Sequence, residues 1–125
     1  KLKRWDKILK EAAEQSKRNI IPTLSYVNNL QELINTTTNM DYKVVAYEKE
    51  SKNKNNENLK ALLKDDLDNK SIIAVFGSEG GISENEISIL TKSEFKMVSL
   101  GKRILRAETA PIYLVSCIAY FSEFE

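Results

Sequence analysis

Ile72-Ile73-Ala74-Val75-Phe76-Gly77-Ser78-Glu79-Gly80-Gly81 decides how this chain is read. Five apolar residues in an unbroken run fit a strand of a parallel sheet, covered on both faces. Glycines follow at once. They carry no Cβ and tolerate positive φ, so the backbone there can come close to a ligand. About twenty residues on, a second strand over 95–100 runs into Gly101-Lys102-Arg103-Ile104-Leu105-Arg106-Ala107-Glu108-Thr109-Ala110. Two loops, each leaving an apolar strand, predict one ligand site at the carboxyl ends of a sheet, where open α/β folds bind.

Outward from these stretches the pattern alternates. Trp5, Ile8, Leu9, Ala12 and Ala13 recur at helical spacing over residues 3–17. Ile20 and Ile21 form a short strand stopped by Pro22. Val27, Leu30, Leu33 and Ile34 line a helix over 26–36, and 42–47 is a strand centred on Val44, Val45 and Ala46. Residues 48–58 are so polar that they read as a mobile loop, followed by a short helix with Leu59, Leu62 and Leu63. Ser83 and Glu86 have capping-box spacing, with Ile82 and Ile87 placed as a hydrophobic staple, so a helix starts there. A last helix spans about 109–121, with Pro111 in its first turn. Strands alternating with helices predict an α/β domain, its sheet mostly parallel and flanked by helices. One domain accounts for all 125 residues.

Composition narrows the chemistry. There is no histidine and one cysteine, Cys117, so a zinc site, and metal chemistry generally, is not expected. A single cysteine fits a reducing, cytoplasmic setting. The longest apolar runs are about five residues, too short to cross a membrane. Net charge is +1, yet Lys1, Lys3, Arg4, Lys7, Lys10, Lys17 and Arg18 make the first helix basic, and Lys102, Arg103 and Arg106 form a second cluster. A solvated helix face explains the first cluster; a phosphate-binding surface requires both to lie on one side. The glycine stretch is not a P-loop, because Ile82-Ser83 stands where lysine and serine or threonine are needed. Nor does it have the dinucleotide-binding glycine spacing.

Residues 74–87 and 98–110 together strongly resemble the bacterial 16S ribosomal RNA uridine-N3 methyltransferases of the RsmE family, of the SPOUT class. Arg4-Trp5, Ile8, Glu11-Ala12, Glu14-Gln15-Ser16, Arg18 and Pro22 are similar to that family's first catalytic helix. The resemblance implies a C-terminal trefoil knot (an alpha-beta knot), which pattern and composition alone would not predict. It implies S-adenosyl-L-methionine as cofactor, the 16S rRNA of the small ribosomal subunit as substrate, and a homodimer. Family members also carry an N-terminal PUA-like RNA-binding barrel. This sequence starts where that barrel would end, which implies an isolated catalytic domain.

Carried over residue by residue, the resemblance places Phe76, Gly77, Ser78, Glu79, Gly80, Gly81, Leu100, Gly101, Ile104, Leu105, Arg106 and Thr109 around the cofactor. Arg106 and Glu79 become the catalytic candidates. Arg106 would orient the uridine or stabilise its anion; its alternative is an ion pair with Glu79 or Glu108. With no histidine, the proton acceptor is left open among Glu79, Glu108 and water. Gln15, Ser16, Arg18, Lys102 and Arg103 are the RNA-binding candidates. Two departures stand out: Ser78 replaces a usual proline, and Ala107 replaces the family's threonine between Arg106 and Glu108. Other readings are a ribose 2′-O methyltransferase, disfavoured because the last loop lacks that group's Ser-Leu-Asn-Val-Ser-like sequence, and a non-catalytic ribosome-assembly module.

Overall fold

The computed structural model describes residues 2–15, 24–47, 52–78, 80–100 and 105–123. The chain divides into two compact units, Lys1–Leu33 and Ile34–Glu125. In the first, α1 (Leu2–Gln15) presents Lys3, Arg4, Lys7 and Lys10 to solvent, as a solvated basic face requires. The expected strand at Ile20–Ile21 lies outside the described residues. Helix α2 (Leu30–Thr36) starts four residues later than the apolar spacing predicted. Asn29 sets that start: its Oδ1 accepts the Glu32 amide at 2.8 Å, while the Glu32 carboxylate accepts the Asn28 amide at 3.0 Å. A side-chain acceptor fixed ahead of the first turn defines the helix end more sharply than periodicity does.

The second unit is built on three parallel strands in the order β2-β1-β3, with β1 (Tyr42–Ala46), β2 (Ile72–Val75) and β3 (Lys96–Val98). The register pairs Val44 with both Ala74 and Lys96, and Ala46 with Val98. Side chains alternate across a strand, so Val44, Ala46, Ala74 and Val98 share one face. On that face Val44, Leu62, Val98, Leu100 and Leu114 form a buried cluster, against which Phe76, Leu105, Ala110 and Ile118 pack. The opposite face carries Val45, Tyr47 and Ser99, all buried. β1 is therefore covered on both faces, while β3, at the other edge, runs from exposed Lys96 through half-buried Met97 to buried Val98. β2 is half-buried throughout, contrary to its expected double-sided burial, because among the described residues it pairs only with β1 and lies at the sheet edge.

Helix α3 (Lys52–Lys64) corrects the loop expected over 48–58. Residues 52–58 continue the helix that Leu59, Leu62 and Leu63 anchor, while 48–51 lie outside the described residues. Once one apolar turn is packed, each residue added to it forms a helical hydrogen bond without a new nucleation cost. Asn58 then ties the helix to the sheet, its Nδ2 donating to the Met97 carbonyl at 2.8 Å.

Both ends of α4 (Glu84–Lys92) are specified. Ser83 Oγ accepts the Glu86 amide at 3.1 Å and Glu86 Oε1 accepts the Ser83 amide at 2.9 Å, completing the expected capping box. The Ser83 backbone amide, then the Ser83 hydroxyl, hold the Glu86 carboxyl below its ordinary pKa. At the far end the Phe95 amide donates to Leu90 O at 3.0 Å and the Glu94 amide to Thr91 O at 3.2 Å. That is a Schellman closure, with Leu90 and Phe95 both buried beneath it. Glu94 occupies the left-handed position, φ 72°, where glycine is usual. Helix α5 (Ala110–Glu123) begins with Ala110-Pro111, as expected of a proline in a first turn.

At the amino-terminal edge of the sheet Asp41 and Ser71 clasp β1 to β2. Asp41 N donates to Ser71 Oγ (2.9 Å), and Ser71 N (2.9 Å) and Oγ (3.1 Å) donate to Asp41 Oδ2. The backbone bond from Ser71, then its hydroxyl, depress the Asp41 pKa.

Candidate active site

Parallel pairing sends the carboxyl ends of all three strands to one edge. There β1 leads into Tyr47, β2 into Phe76-Gly77 and β3 into Ser99-Leu100. The loops from β2 and β3 meet on the same apolar support, since Phe76, Leu100 and Leu105 all pack in one cluster. The described flanks of the two glycine-bearing stretches thus share one apolar support, while Glu79 and residues 101–104 lie outside the described residues.

The first loop is a tight turn. Gly81 N donates to Ser78 O at 2.8 Å, and Ser78 and Gly81 form an antiparallel bridge. Gly81 has φ 80°, a conformation that favours glycine. Gly77 is glycine for a different reason: a Cβ there would lie 2.7 Å from the Gly81 carbonyl carbon and 2.8 Å from Ile82 Cγ1. The chain itself occupies the space beside Gly77. Around Gly80 no described residue beyond its chain neighbours lies within 4 Å of a would-be Cβ, which leaves room for an incoming group. The sequence marked all three glycines for one reason; the structure assigns them different ones.

The second loop is described from Leu105 onward. Arg106 O accepts the amides of both Thr109 and Ala110 at 3.0 Å, and Thr109 O accepts the Tyr113 amide at 3.0 Å, so the turn passes directly into α5. Arg106 Nη1 lies 3.8 Å from Glu108 Oε1, with side chains 85% and 67% exposed. The ion pair considered as an alternative for Arg106 thus exists, with Glu108. An exposed pair of this kind contributes about 0–1 kcal/mol, so it is not what holds the turn. Leu100, 3% exposed, gives its side chain to the core. Leu105 is half-buried on the same cluster, while Ser78 and Thr109 are exposed.

Glu79, Gly101, Lys102, Arg103, Ile104, Ser16 and Arg18 lie outside the described residues. Gln15 is exposed at the end of α1, in the first unit. Two residues at the carboxyl edge escaped notice in the sequence. Tyr47 and Ser99 are buried just past the ends of β1 and β3; Ser99 falls inside the family-like stretch 98–110, and Tyr47 lies in no motif. A cavity of about 310 Å³ lies elsewhere, lined by residues that include Thr38, Tyr42, Asn58, Asp65 and Lys96 at the opposite edge. Several of its polar groups are committed to the fold: Tyr42 Oη donates to Asp65 at 3.1 Å and Asn58 to Met97 O. Depth does not mark the candidate site here; the meeting of the loops does.

Residues 1–119 match the family model described as an RNA methyltransferase domain. The chain belongs to this family. The RNA methyltransferase domain is 43% identical, over 98% of its length, to Ribosomal RNA small subunit methyltransferase E of Bacillus subtilis (strain 168), covering 48% of that protein. It is 39% identical, over 94% of its length, to the protein of the same name from Mesomycoplasma hyopneumoniae (strain 232), again covering 48%. The RsmE resemblance read from the motifs is borne out by these relatives. Among solved structures, the Neisseria gonorrhoeae Ribosomal RNA small subunit methyltransferase E bound to S-adenosyl methionine superposes with a TM-score of 0.68 at 31% identity, covering 95% of this chain and 46% of that one. The RNA methyltransferase domain thus spans about half the length of the relatives it matches.

Proposed function

We propose that this domain carries out S-adenosyl-L-methionine-dependent methylation of a uridine N3 in the 16S rRNA of the small ribosomal subunit, in the cytoplasm. The observation that carries the reading is that Phe76, where one family-like loop leaves β2, and Leu105, where the described part of the other begins, pack on one apolar support at the carboxyl edge of a parallel sheet. The domain family and the names of the relatives point the same way. The proposed fold is a single methyltransferase domain with the C-terminal trefoil knot of the SPOUT class.

The residues present fit the cofactor. Gly80 leaves open space beside its backbone, and Phe76 and Leu105 supply a half-buried apolar wall. Backbone of Ser78, Glu79, Gly80 and Gly81 would line one side, and Leu100, Gly101, Ile104, Leu105 and Thr109 the other. When bound, S-adenosylmethionine supplies an activated methyl group, so neither a metal nor a covalent nucleophile is required. The protein's tasks are to orient the uracil ring and favour loss of its imide proton. Arg106, exposed at the rim, stabilises the charge that this loss places on O2 and O4. Lys102 and Arg103 meet RNA phosphates, with Gln15, Ser16 and Arg18 as further contacts.

The proposal includes a homodimer. Helix α5 packs Ala110, Leu114 and Ile118, one stripe at i, i+4, i+8 spacing, on the core. Ile112, Tyr113, Val115, Tyr120 and Phe121 remain exposed around the rest of its circumference. A helix apolar on most sides is normally covered. The test of the activity is incubation of undermethylated small subunits with the protein and labelled cofactor, followed by mapping of the modified nucleoside. Label in 3-methyluridine is expected; label in ribose, or none, overturns the reading. Arg106→Ala should lower the rate about 10²-fold, as loss of one anion-stabilising donor does.

A further inference from the structure

The Arg106–Glu108 pair sits on a turn that does not need it, because backbone bonds from Thr109 and Ala110 to Arg106 O already hold that turn. The pair is largely exposed at the rim of the candidate site. It therefore presents to solvent a group that only donates hydrogen bonds beside one that only accepts them. Three described carboxylates stand just beyond the carboxyl edge: Glu84, Glu86 and Glu108. Glu86 is committed to the Ser83 cap, and Glu84 lies in the first turn of α4. Of the three, Glu108 is the one paired with a guanidinium.

Resting on the function proposed above, we infer that Arg106 and Glu108 together read the imide edge of the target uracil, and that Glu108 takes the N3 proton. That edge presents a carbonyl oxygen next to N3–H, an acceptor beside a donor. Arg106 donates to the carbonyl oxygen and Glu108 accepts from N3–H. A cytosine places a bare lone pair at N3, which a carboxylate repels. A uracil already methylated at N3 has no proton to offer and brings a methyl group against the carboxylate. In the proton step the N3–H bond breaks, its electron pair stays on N3, and the proton passes to a Glu108 Oε and then to solvent. The resulting charge spreads over the flanking oxygens, where Arg106 holds it. N3 is left with the lone pair that alkylation by a sulfonium requires.

The test separates reading from proton transfer. Binding is measured without cofactor, using undermethylated small subunits and the same subunits after complete methylation. The wild-type protein should prefer the undermethylated form roughly tenfold, the scale of one hydrogen bond to a charged group. Glu108→Ala should lose that preference. Glu108→Gln keeps an acceptor oxygen but cannot hold the proton, so it should retain the preference. Its single-turnover rate should fall about 10²-fold and climb with pH as the imide ionises unaided. A Glu108→Ala protein that still prefers unmethylated subunits overturns the reading role; a Glu108→Gln protein at wild-type rate overturns the proton role. If Glu108→Ala does not fold, Glu108→Lys, whose ammonium cannot accept from N3–H, takes its place and should lose the preference. Wild-type protein that methylates no uridine refutes the proposed function instead, so the two failures are distinct.

Discussion

Gly77 and Gly80 lie three residues apart in one turn and meet opposite surroundings. A methyl group on Gly77 would press on the Gly81 backbone at 2.7 Å. Backbone cannot swing aside as a flexible side chain can, so Gly77→Ala should destabilise the protein by about 1–3 kcal/mol, the usual cost of overpacking. At Gly80 the same methyl meets no described residue within 4 Å. Gly80→Ala should therefore leave the melting temperature unchanged while weakening S-adenosylmethionine binding in calorimetry. Unchanged cofactor affinity in Gly80→Ala would remove that backbone from the proposed site. The sequence flagged both glycines as ligand contacts because a glycine after a strand carries no record of what fills the space beside it. For Gly77 the occupant is the chain's own return.

Among the elements, α4 has an end that follows the rules and an end that departs from them. Its capping box was legible because it is local: serine and glutamate three residues apart suffice. Ser83→Ala should cost about 1 kcal/mol in urea unfolding. The other end places Glu94 at φ 72°. A Cβ in the left-handed region costs roughly 1–2 kcal/mol. Glu94→Gly should thus raise the unfolding midpoint, with no change in the Leu90–Phe95 closure beneath it. Helix α3 shows the reverse limit. Its polar stretch looked like loop because the decisive partner, the Met97 carbonyl that Asn58 reaches, lies 39 residues away.

For the molecule as a whole, acid sensitivity follows from the Asp41–Ser71 clasp and assembly from the exposed face of α5. The Asp41–Ser71 clasp holds Asp41 below the usual carboxylate pKa. A depressed folded pKa means the unfolded chain binds protons more readily, so the clasp's contribution is complete above pH about 4. It fades as pH drops through the lowered folded value. Glu86, depressed by Ser83, adds in the same direction. Melting followed against pH should show Asp41→Asn less stable than wild type near neutrality, with the difference closing as acid is added. A difference independent of pH would mean the clasp acts through shape alone. For assembly, Val115→Asp on the exposed face of α5 should convert a dimer to a monomer in analytical sedimentation. Wild-type protein that sediments as a monomer would remove the second copy as the cover for that face.

Local signals in the sequence determined the strand cores, the α4 cap, the glycine and arginine stretches, and the family those stretches resemble. Each depends on residues within a few positions of one another, where side-chain type and backbone geometry are directly coupled. Tertiary structure decided the rest: that β2 lies at an edge and is half-buried, that residues 52–58 are helical, and that Leu100 faces the core. These depend on which distant segment fills a given space, and a linear sequence does not record its neighbours in three dimensions.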